Sequence, residues 1–228
     1  IDILADSGGY AASSPFVTWR SSVQAAGPYA IPNVHIDVKA VYTNNSYTSA
    51  MRGFGSPQVV YANESLMDEI AEYLNLSPVE IREINALRQG DTSVTGQVFD
   101  QHTVSAHEVL KKAAASAEFM AKRKHYHVLN EQGGLYRYGI GLALSYRGCS
   151  IGAEGVDTST ALIQVNEDGS VNLSTSVSEN GQGLQTTMSL IAAEAFGIAI
   201  SDIHFSEPPT SVIGDGGSTA ATRGTMVG

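Results

Sequence analysis

The sequence predicts an α+β fold in two parts that meet near Gly133, with mixed sheets and packed helices. Some stretches alternate apolar and polar residues, as half-buried strands do, while others repeat apolar residues at helical spacing. Between residues 122 and 134 the chain turns polar and basic and then breaks at Gly133-Gly134, which is typical of a boundary between lobes. These observations together predict the fold class and its division.

The N-terminal part opens with strand and loop material and a single expected helical turn. Residues 34–40 alternate apolar and polar side chains and predict a strand. Ser56 is expected to cap the helix that follows, and Pro57 suits its first turn. The spacing of apolar residues carries this helix on to Tyr73.

Two further helices are predicted from capping boxes, in which a Ser and a Glu three residues later satisfy each other's backbone amides. The first box is Ser77-Pro78-Val79-Glu80, and its helix is expected to end before Gly90. The second box is Ser105-Ala106-His107-Glu108, and its helix is expected to run to about Lys122.

The C-terminal part begins with residues 138–146, an apolar stretch that predicts a buried strand. Residues 160–165 and 171–177 flank Asn166-Glu167-Asp168-Gly169, which is a strong hairpin signal. A polar, Gly-rich loop then leads into a helix expected over residues 184–196.

The charge balance excludes several classes of partner. Of the 228 residues, 13 are Lys or Arg and 23 are Asp or Glu, giving a formal net charge of −10, so we expect no nucleic-acid surface. We also expect no membrane partner, because no apolar run is long enough to span a bilayer. The single cysteine, Cys149, allows no internal disulfide and fits a reducing compartment, which predicts a cytoplasmic protein. The chain opens on Ile1 without an initiator Met, and we expect it to be part of a longer polypeptide.

Three Gly-rich loops could hold a ligand. They are Arg52-Gly53-Phe54-Gly55, Asn180-Gly181-Gln182-Gly183 and the run from Gly214 to Gly224. Glycines let a ligand approach the backbone, and a helix that starts beside such a loop offers free N–H groups and the positive end of its dipole. Each loop alone also fits an ordinary turn, since Gly routinely punctuates loops.

Other catalytic patterns are weak. Gly148-Cys149-Ser150-Ile151-Gly152 matches the G-x-S-x-G pattern of serine hydrolases, but the following residues do not predict the helix which that motif requires. The histidines have no metal-binding spacing, and the glutamates form no recognisable acid–base pair.

The three loops together resemble a known family. The segment 50–58 resembles A-x-R-G-F-G-x-P-Q, a signature of the molybdenum hydroxylases of the xanthine dehydrogenase and aldehyde oxidase type. Residues 168–171 and 179–186 resemble that family's D-G-S-V and E-M-G-Q-G-x-x-T segments, and residues 219–222 resemble its T-A-A-S loop. Order and spacing agree from about Arg20 to the C-terminus.

The resemblance implies a molybdopterin-dependent oxidoreductase, a hydroxylase or dehydrogenase that inserts water-derived oxygen into an N-heterocycle or an aldehyde. It implies a molybdenum–molybdopterin cofactor and leaves open whether this is the cytosine dinucleotide form. The expected partners are the remaining segments of the molybdenum domain, iron–sulfur (FeS) and FAD domains or subunits, and a small-molecule substrate. Residues 1–90 would be the C-terminal part of a first molybdopterin-binding lobe, 91–134 a helical connection and 135–228 the N-terminal part of a second lobe.

The resemblance also implies roles on the substrate side. Arg20 matches an arginine that stabilises negative charge developing on the substrate, so it is both a catalytic and a substrate-binding candidate, with a structural arginine as the alternative. Phe54 matches an aromatic wall of the substrate pocket, and Gly152 matches a substrate-side position. Ile151 stands where xanthine-active members place a second Phe, which puts a two-sided aromatic clamp in doubt.

Arg52 and Gly53 match cofactor-side residues, with Arg52 beside the metal's ligands. The remaining matches are expected pterin and metal-site contacts. These are Gly181, Gln182, Gly183, Ala220, Ala221 and Thr222. No side chain is expected to coordinate the metal directly, and Arg52 and Ala221 would lie next to its ligands. The three loops are therefore expected to converge in space.

Some family segments have no counterpart in this chain, including the one with the glutamate that acts as base. We therefore expect the chain alone to be inactive. The alternative reading is a non-catalytic interaction or scaffold module that retains the fold, and bound molybdopterin would distinguish the two.

Overall fold

A computed structural model describes residues 1–151 and 155–228 and confirms the α+β class. The chain divides into two compact units, residues 1–146 and 147–228. Among the helices of the described residues, none combines the length and the apolar character needed to cross a bilayer. The three segments predicted from the sequence, with limits at 90 and 134, remain a prediction.

The first unit contains a parallel two-stranded sheet, in which the strands β1 and β2 pair, and five helices. Their bounds are β1 Asp2–Gly8, α1 Ser14–Gln24, β2 Asp37–Tyr42, α2 Ser56–Tyr73, α3 Pro78–Asn85, α4 Ala106–Ser116 and α5 Phe119–Glu131. The strand predicted over 34–40 begins later, because Asp37 is the residue that pairs with Asp2 at the start of β1. The single helical turn expected before it is the full helix α1.

The core of the first unit is formed by the buried faces of α2 and α3 and the residues that pack on them. Its buried apolar residues are Tyr29, Met67, Ala71, Ile81, Ala86, Leu110 and Leu144. Arg82 is fully buried beside them, and its Nε lies 2.8 Å from Oε2 of Glu64. Glu64 also accepts a 2.5 Å hydrogen bond from the Tyr29 hydroxyl. The buried charge is thus paired and hydrogen-bonded, as a buried charge must be.

The second unit contains one three-stranded sheet with the order β3-β4-β5, antiparallel in its first pair and parallel in its second. Its elements are β3 Ala161–Val165, β4 Val171–Thr175, α6 Leu184–Phe196, a short 3-10 turn Ile200–Asp202, β5 Ile203–Phe205 and α7 Gly224–Val227. The helix α6 packs its buried face on β4 and β5. The resulting core is Val171, Leu173, Val177, Leu184, Met188, Ala192, Ala193 and Ile203. The predicted hairpin and the helix over 184–196 are confirmed.

One of the predicted helix caps is confirmed and two are wrong. Ser77 and Glu80 form the complete capping box at α3. Ser56 does not cap α2; Gly55 is the N-cap residue, and the Ser56 hydroxyl instead donates to the Gln24 side chain. Ser105 precedes α4, but its side chain makes no capping hydrogen bond.

Two other predicted elements differ from the structure. The helix expected to reach Lys122 is interrupted at Glu118, whose φ of 51° breaks the helical ladder, and Phe119 is buried directly after the break. The stretch 138–146 is not a strand. Its amides bond to side chains instead of a neighbouring strand: Tyr138 donates to Asn130 at 2.9 Å and Leu144 to Glu64 at 2.7 Å.

Candidate cofactor-binding loops

In the first unit, the loop 52–55 is a tight turn in front of α2. Gly53, Phe54 and Gly55 all have positive φ, at 102°, 54° and 90°. The Phe54 amide donates to the Met51 carbonyl at 2.8 Å, and the Ser56 amide donates to the Gly53 carbonyl at 3.1 Å. A left-handed conformation is rare for a residue with a side chain, so Phe54 is held there by its surroundings.

The position of Gly55 requires glycine. A Cβ atom there would lie 2.3 Å from the Val17 carbonyl oxygen and 2.4 Å from Oγ of Ser21, both on α1. The Ser21 hydroxyl also donates to the Gly55 carbonyl at 3.2 Å. The loop and the helix that carries Arg20 are therefore in direct contact.

The structure places the candidate residues of this unit on one loop and one helix. Arg20 is half-buried on α1, and its guanidinium carbon lies 4.8 Å from the centre of the Trp19 ring. Phe54 is half-buried and Arg52 is exposed. An exposed cation beside a helix start can attract an anionic ligand, and the contact of Gly55 with α1 joins this loop to the helix that carries Arg20.

In the second unit, a carboxylate occupies the glycine loop before α6. Oε1 of Glu179 accepts from the amides of Gly181 at 2.7 Å and Gly183 at 3.0 Å, and Oε2 accepts from the Gln185 amide at 3.2 Å. Partial burial raises the pKa of Glu179, but these backbone donors outweigh it and hold the pKa below its ordinary value. The expectation of free N–H groups at this helix start is corrected, because Glu179 accepts from them.

Gln182 lies between the two glycines and is exposed. Its side-chain oxygen accepts from the Asn180 amide at 2.5 Å, and its Nε2 donates to the Ser178 carbonyl at 3.0 Å. A primary amide has two donors and two lone pairs, so one of each remains for a ligand. No atom of the described residues lies within 4 Å of a Cβ built on Gly181 or Gly183, which leaves their backbone open to close approach.

The loop 219–222 meets the loop 178–183. The Ser178 amide donates to Oγ1 of Thr219 at 2.8 Å, and the Asn180 side chain donates to the Thr219 carbonyl at 3.4 Å. Ala221 and Thr222 follow in the left-handed region, with φ of 55° and 59°. Within residues 1–151 and 155–228, the amides of these two residues have no hydrogen-bond acceptor. Consecutive unpaired amides are suited to a ligand rich in acceptors.

The donor set fits a pterin better than a bare metal ion. In the described part of the chain, no three His, Cys, Asp or Glu side chains are grouped so that they could hold a metal. Backbone amides and a primary amide side chain match the alternating donors and acceptors of a planar polar heterocycle. Two of the three candidate loops, those of the second unit, are joined in space. Convergence with Arg52 remains a prediction, and Gly152 lies outside the described residues.

Sequence reasoning missed two residues that shape these loops. Glu179 precedes the glycines by two positions, and an acidic residue just before a helix start could have indicated its role. Arg223 is fully buried next to the loop 219–222, and its side chain donates to the carbonyls of Gly216 and Ser218, which precede that loop. No sequence signal separates a buried arginine of this kind from a surface one.

Comparison with known proteins identifies the family. Two sequence models, each described as a molybdopterin cofactor-binding domain, match residues 1–86 and 112–228. The xanthine dehydrogenase molybdenum-binding subunit of Escherichia coli O157:H7 is 33% identical over 205 residues, which is 90% of this chain and 27% of that protein. An aldehyde oxidoreductase of Megalodesulfovibrio gigas is 31% identical over 225 residues, which is 97% of this chain and 24% of that protein.

The solved structures agree. Quinoline 2-oxidoreductase from Pseudomonas putida 86 superposes with a TM-score of 0.81 and 25% identity, covering 97% of this chain and 29% of that one. The chain thus spans less than a third of the length of the proteins it matches. From these matches and the loop motifs, the chain belongs to the molybdopterin cofactor-binding family of the xanthine dehydrogenase and aldehyde oxidase type.

Proposed function

We propose that the longer protein containing this chain is a molybdopterin-dependent hydroxylase or dehydrogenase that inserts water-derived oxygen into an N-heterocycle or an aldehyde. The observation that carries this proposal is the pairing of the loops 178–183 and 219–222, with open glycines, unpaired amides and a partly free amide side chain. The names of the matched proteins, xanthine dehydrogenase, aldehyde oxidoreductase and quinoline 2-oxidoreductase, support both substrate classes.

The chain's own part is to hold and orient the cofactor. Gln182 would bond the pterin through its side-chain amide, and the open glycines at 181 and 183 would let the cofactor approach the backbone closely. Ala220 would lie beside it, and the unpaired amides of Ala221 and Thr222 would face the metal end. Arg52 and Gly53 of the first unit would approach the cofactor from another loop. When bound, the cofactor supplies the two-electron redox chemistry, and the protein supplies orientation and electrostatics.

Arg20 is proposed to act on the substrate. A guanidinium is always charged and presents several donors, so it stabilises negative charge that grows on a substrate heteroatom as the reacting carbon is attacked. Its helix α1 is held against the loop 52–55 through Gly55, so Arg20 and Phe54 would belong to the same substrate wall.

The pocket is proposed to accept single-ring or narrow substrates more readily than a purine. Phe54 provides one aromatic face, while the position expected to supply the second has the half-buried Ile151. An isoleucine offers apolar contact without the stacking that an aromatic pair provides.

Partners and location complete the proposal. Electrons would leave through FeS and FAD domains or subunits, since this chain has a single cysteine and cannot hold an iron–sulfur cluster itself. Remaining segments of the molybdenum domain would supply the glutamate base. A cytoplasmic location fits a chain with one unpaired cysteine.

The test uses the full-length enzyme in water enriched in the heavy oxygen isotope, with quinoline and benzaldehyde as separate substrates and a dye as electron acceptor. We expect the heavy isotope in the hydroxylated or carboxylic product and molybdopterin in the purified protein. A protein without pterin would instead support the scaffold alternative. The 228-residue chain alone should show no turnover, because it lacks the glutamate base and a general base typically contributes about 10²–10⁴-fold in rate. It should also hold no stable molybdenum, because it would contact the cofactor over only part of its circumference.

A further inference from the structure

Arg223 organises the loop that leads to it. Its side chain is 0% exposed, and its Nη1 donates to the carbonyls of Gly216 at 2.7 Å and Ser218 at 3.1 Å. Its Nη2 donates to the Thr158 carbonyl, and its backbone amide donates to the Ala220 carbonyl at 3.2 Å. The buried guanidinium therefore fixes the backbone of the residues that precede Ala221 and Thr222 through hydrogen bonds to their carbonyls.

Asp157 is the charge partner of Arg223 and has a second contact. Its Oδ1 accepts from Arg223 Nε at 2.7 Å, and its Oδ2 accepts from the Ile151 amide at 3.0 Å. One carboxylate thus joins the Arg223 side chain to the loop that contains Ile151. Partial burial raises the pKa of Asp157, but the Arg223 and Ile151 hydrogen bonds outweigh it, so this carboxylate stays ionised at neutral pH.

The two loops joined in this way have different expected neighbours. Residues 220–222 are proposed to face the cofactor, whereas Ile151 is proposed to line the substrate pocket. Their common anchor is half-buried at Asp157 and fully buried at Arg223. Ala221 and Thr222 also have positive φ, a conformation that persists only where surrounding contacts determine it.

We propose that the Arg223–Asp157 ion pair is a positioning device that sets the cofactor-facing loop 220–222 and the substrate-facing residue Ile151 together. The proposal rests on the function proposed above. It assigns neither residue to contact with the substrate or the cofactor. Each side chain acts through the backbone it holds.

A matched control lies in the first unit. Arg82 is also 0% exposed, pairs with Glu64 at 2.8 Å and donates to backbone carbonyls. Within the residues that the structure describes, its hydrogen bonds go to Glu64, Asp68 and Pro78, and none of these belongs to a candidate loop. Arg82→Lys therefore reports what the loss of a buried guanidinium fork does to stability alone.

Two variants of the full-length enzyme test separately the contacts of Arg223 with the cofactor-facing loop and the contact of Asp157 with Ile151. Arg223→Lys retains the charge but cannot reproduce the forked contacts to Gly216, Ser218 and Thr158, so the cofactor-facing loop should loosen. Asp157→Asn retains one acceptor oxygen, which the buried Arg223 needs most. Its amide nitrogen then faces the Ile151 amide, donor against donor, so the substrate side should move.

The readouts are molybdenum per polypeptide after dialysis, the electron paramagnetic resonance spectrum of the partly reduced metal, kcat and KM for quinoline and benzaldehyde, and Tm. Arg223→Lys should weaken cofactor retention about 10- to 100-fold and alter the metal's spectrum. Asp157→Asn should raise KM with molybdenum content near that of the wild type. Arg82→Lys should lower Tm with normal metal content, spectrum and KM.

The proposal is overturned if Arg223→Lys and Arg82→Lys lose molybdenum equally at equal loss of Tm, because Arg223 would then be an ordinary core residue. An unchanged KM in Asp157→Asn would show that the contact between Asp157 and Ile151 does not position the substrate pocket. If Arg223→Lys does not fold, the KM of Asp157→Asn is the measurement that tests the proposal. A wild-type enzyme without molybdopterin would contradict the proposed function itself, an outcome visible before any variant is made.

Discussion

The backbone amide of Ser178 donates a 2.8 Å hydrogen bond to Oγ1 of Thr219, which joins two loops 41 residues apart in the chain. Both loops carry residues proposed to contact the cofactor. Since the bond uses the threonine hydroxyl and not its backbone, a single side chain determines whether this contact exists. A substitution at Thr219 therefore tests whether this hydrogen bond contributes to the cofactor site.

Replacing Thr219 with Val should weaken cofactor retention by the full-length enzyme. The variant keeps the branched shape but loses the acceptor, and a hydrogen bond of this kind contributes about 1 kcal/mol, or roughly fivefold in affinity. Thr219→Ser is the control, since it retains the hydroxyl. Molybdenum per polypeptide after dialysis is the measurement, and equal loss in both variants would mean that the hydroxyl does not join the loops.

Glu179 should titrate below its ordinary pKa of 4.5, because three backbone amides donate to its ionised form. A folded-state pKa lower than the unfolded one means that this contribution to stability is present above the unfolded value. It is lost as the pH falls through the folded value. We expect the amide proton shifts of Gly181 and Gly183 to move together with a midpoint under 4.5 in an NMR titration. A midpoint at or above that value would show that the carboxylate does not accept from them.

The tight contact at Gly55 should make its substitution costlier than the same substitution elsewhere. Gly55 and Gly90 both have φ of +90°, but a Cβ on Gly55 would lie 2.3 Å from the Val17 oxygen while Gly90 has open space. Gly90→Ala should cost about 1–2 kcal/mol from its left-handed backbone. Gly55→Ala should cost about 1–3 kcal/mol more from the added clash.

Thermal unfolding of the two glycine variants checks this difference. Equal losses of stability would mean that the loop 52–55 moves away from α1 without cost. The contact proposed to hold Arg20 and Phe54 in one wall would then be weak.

Arg20 and Arg52 should have different kinetic signatures in the full-length enzyme. An arginine that stabilises charge formed mainly in the transition state lowers kcat far more than it weakens binding, so Arg20→Met should lose about 10²–10³-fold in kcat. Arg52→Met should instead lower molybdenum content or alter the metal's spectrum. Steady-state kinetics with metal analysis separates the two, and a full kcat with normal metal content in Arg20→Met would make Arg20 structural.

Much of the fold could be predicted where a local pattern coincides with its tertiary role. The Ser77–Glu80 box and the hairpin around 166–169 form as predicted because their hydrogen bonds are made within a few residues. The stretch 138–146 has the composition of a buried strand, yet its amides bond to Asn130 and Glu64. Partners so distant in sequence leave no local pattern to detect.

The candidate site follows the same division. Gly-rich loops are visible in the sequence, and the resemblance assigns residues to them. The joint between Ser178 and Thr219 and the ion pair of Arg223 with Asp157 depend on pairings across 41 and 66 residues. The role of Glu179 is local, yet a carboxylate that fills its own helix start is indistinguishable in sequence from an exposed one.

The central claim is that the loop 178–183 holds molybdopterin, and its most direct test is the molybdenum and pterin content of the full-length enzyme. Gln182→Leu removes both the loop's internal amide bonds and the proposed ligand contacts. Gln185→Leu is the control, since its side chain is exposed and, among the described residues, its one side-chain hydrogen bond is a 3.5 Å contact with Glu207. We expect close to one cofactor per polypeptide in the wild type and in Gln185→Leu, and a loss of roughly 10-fold or more in Gln182→Leu. Full cofactor content in Gln182→Leu, or none in the wild type, would contradict the claim.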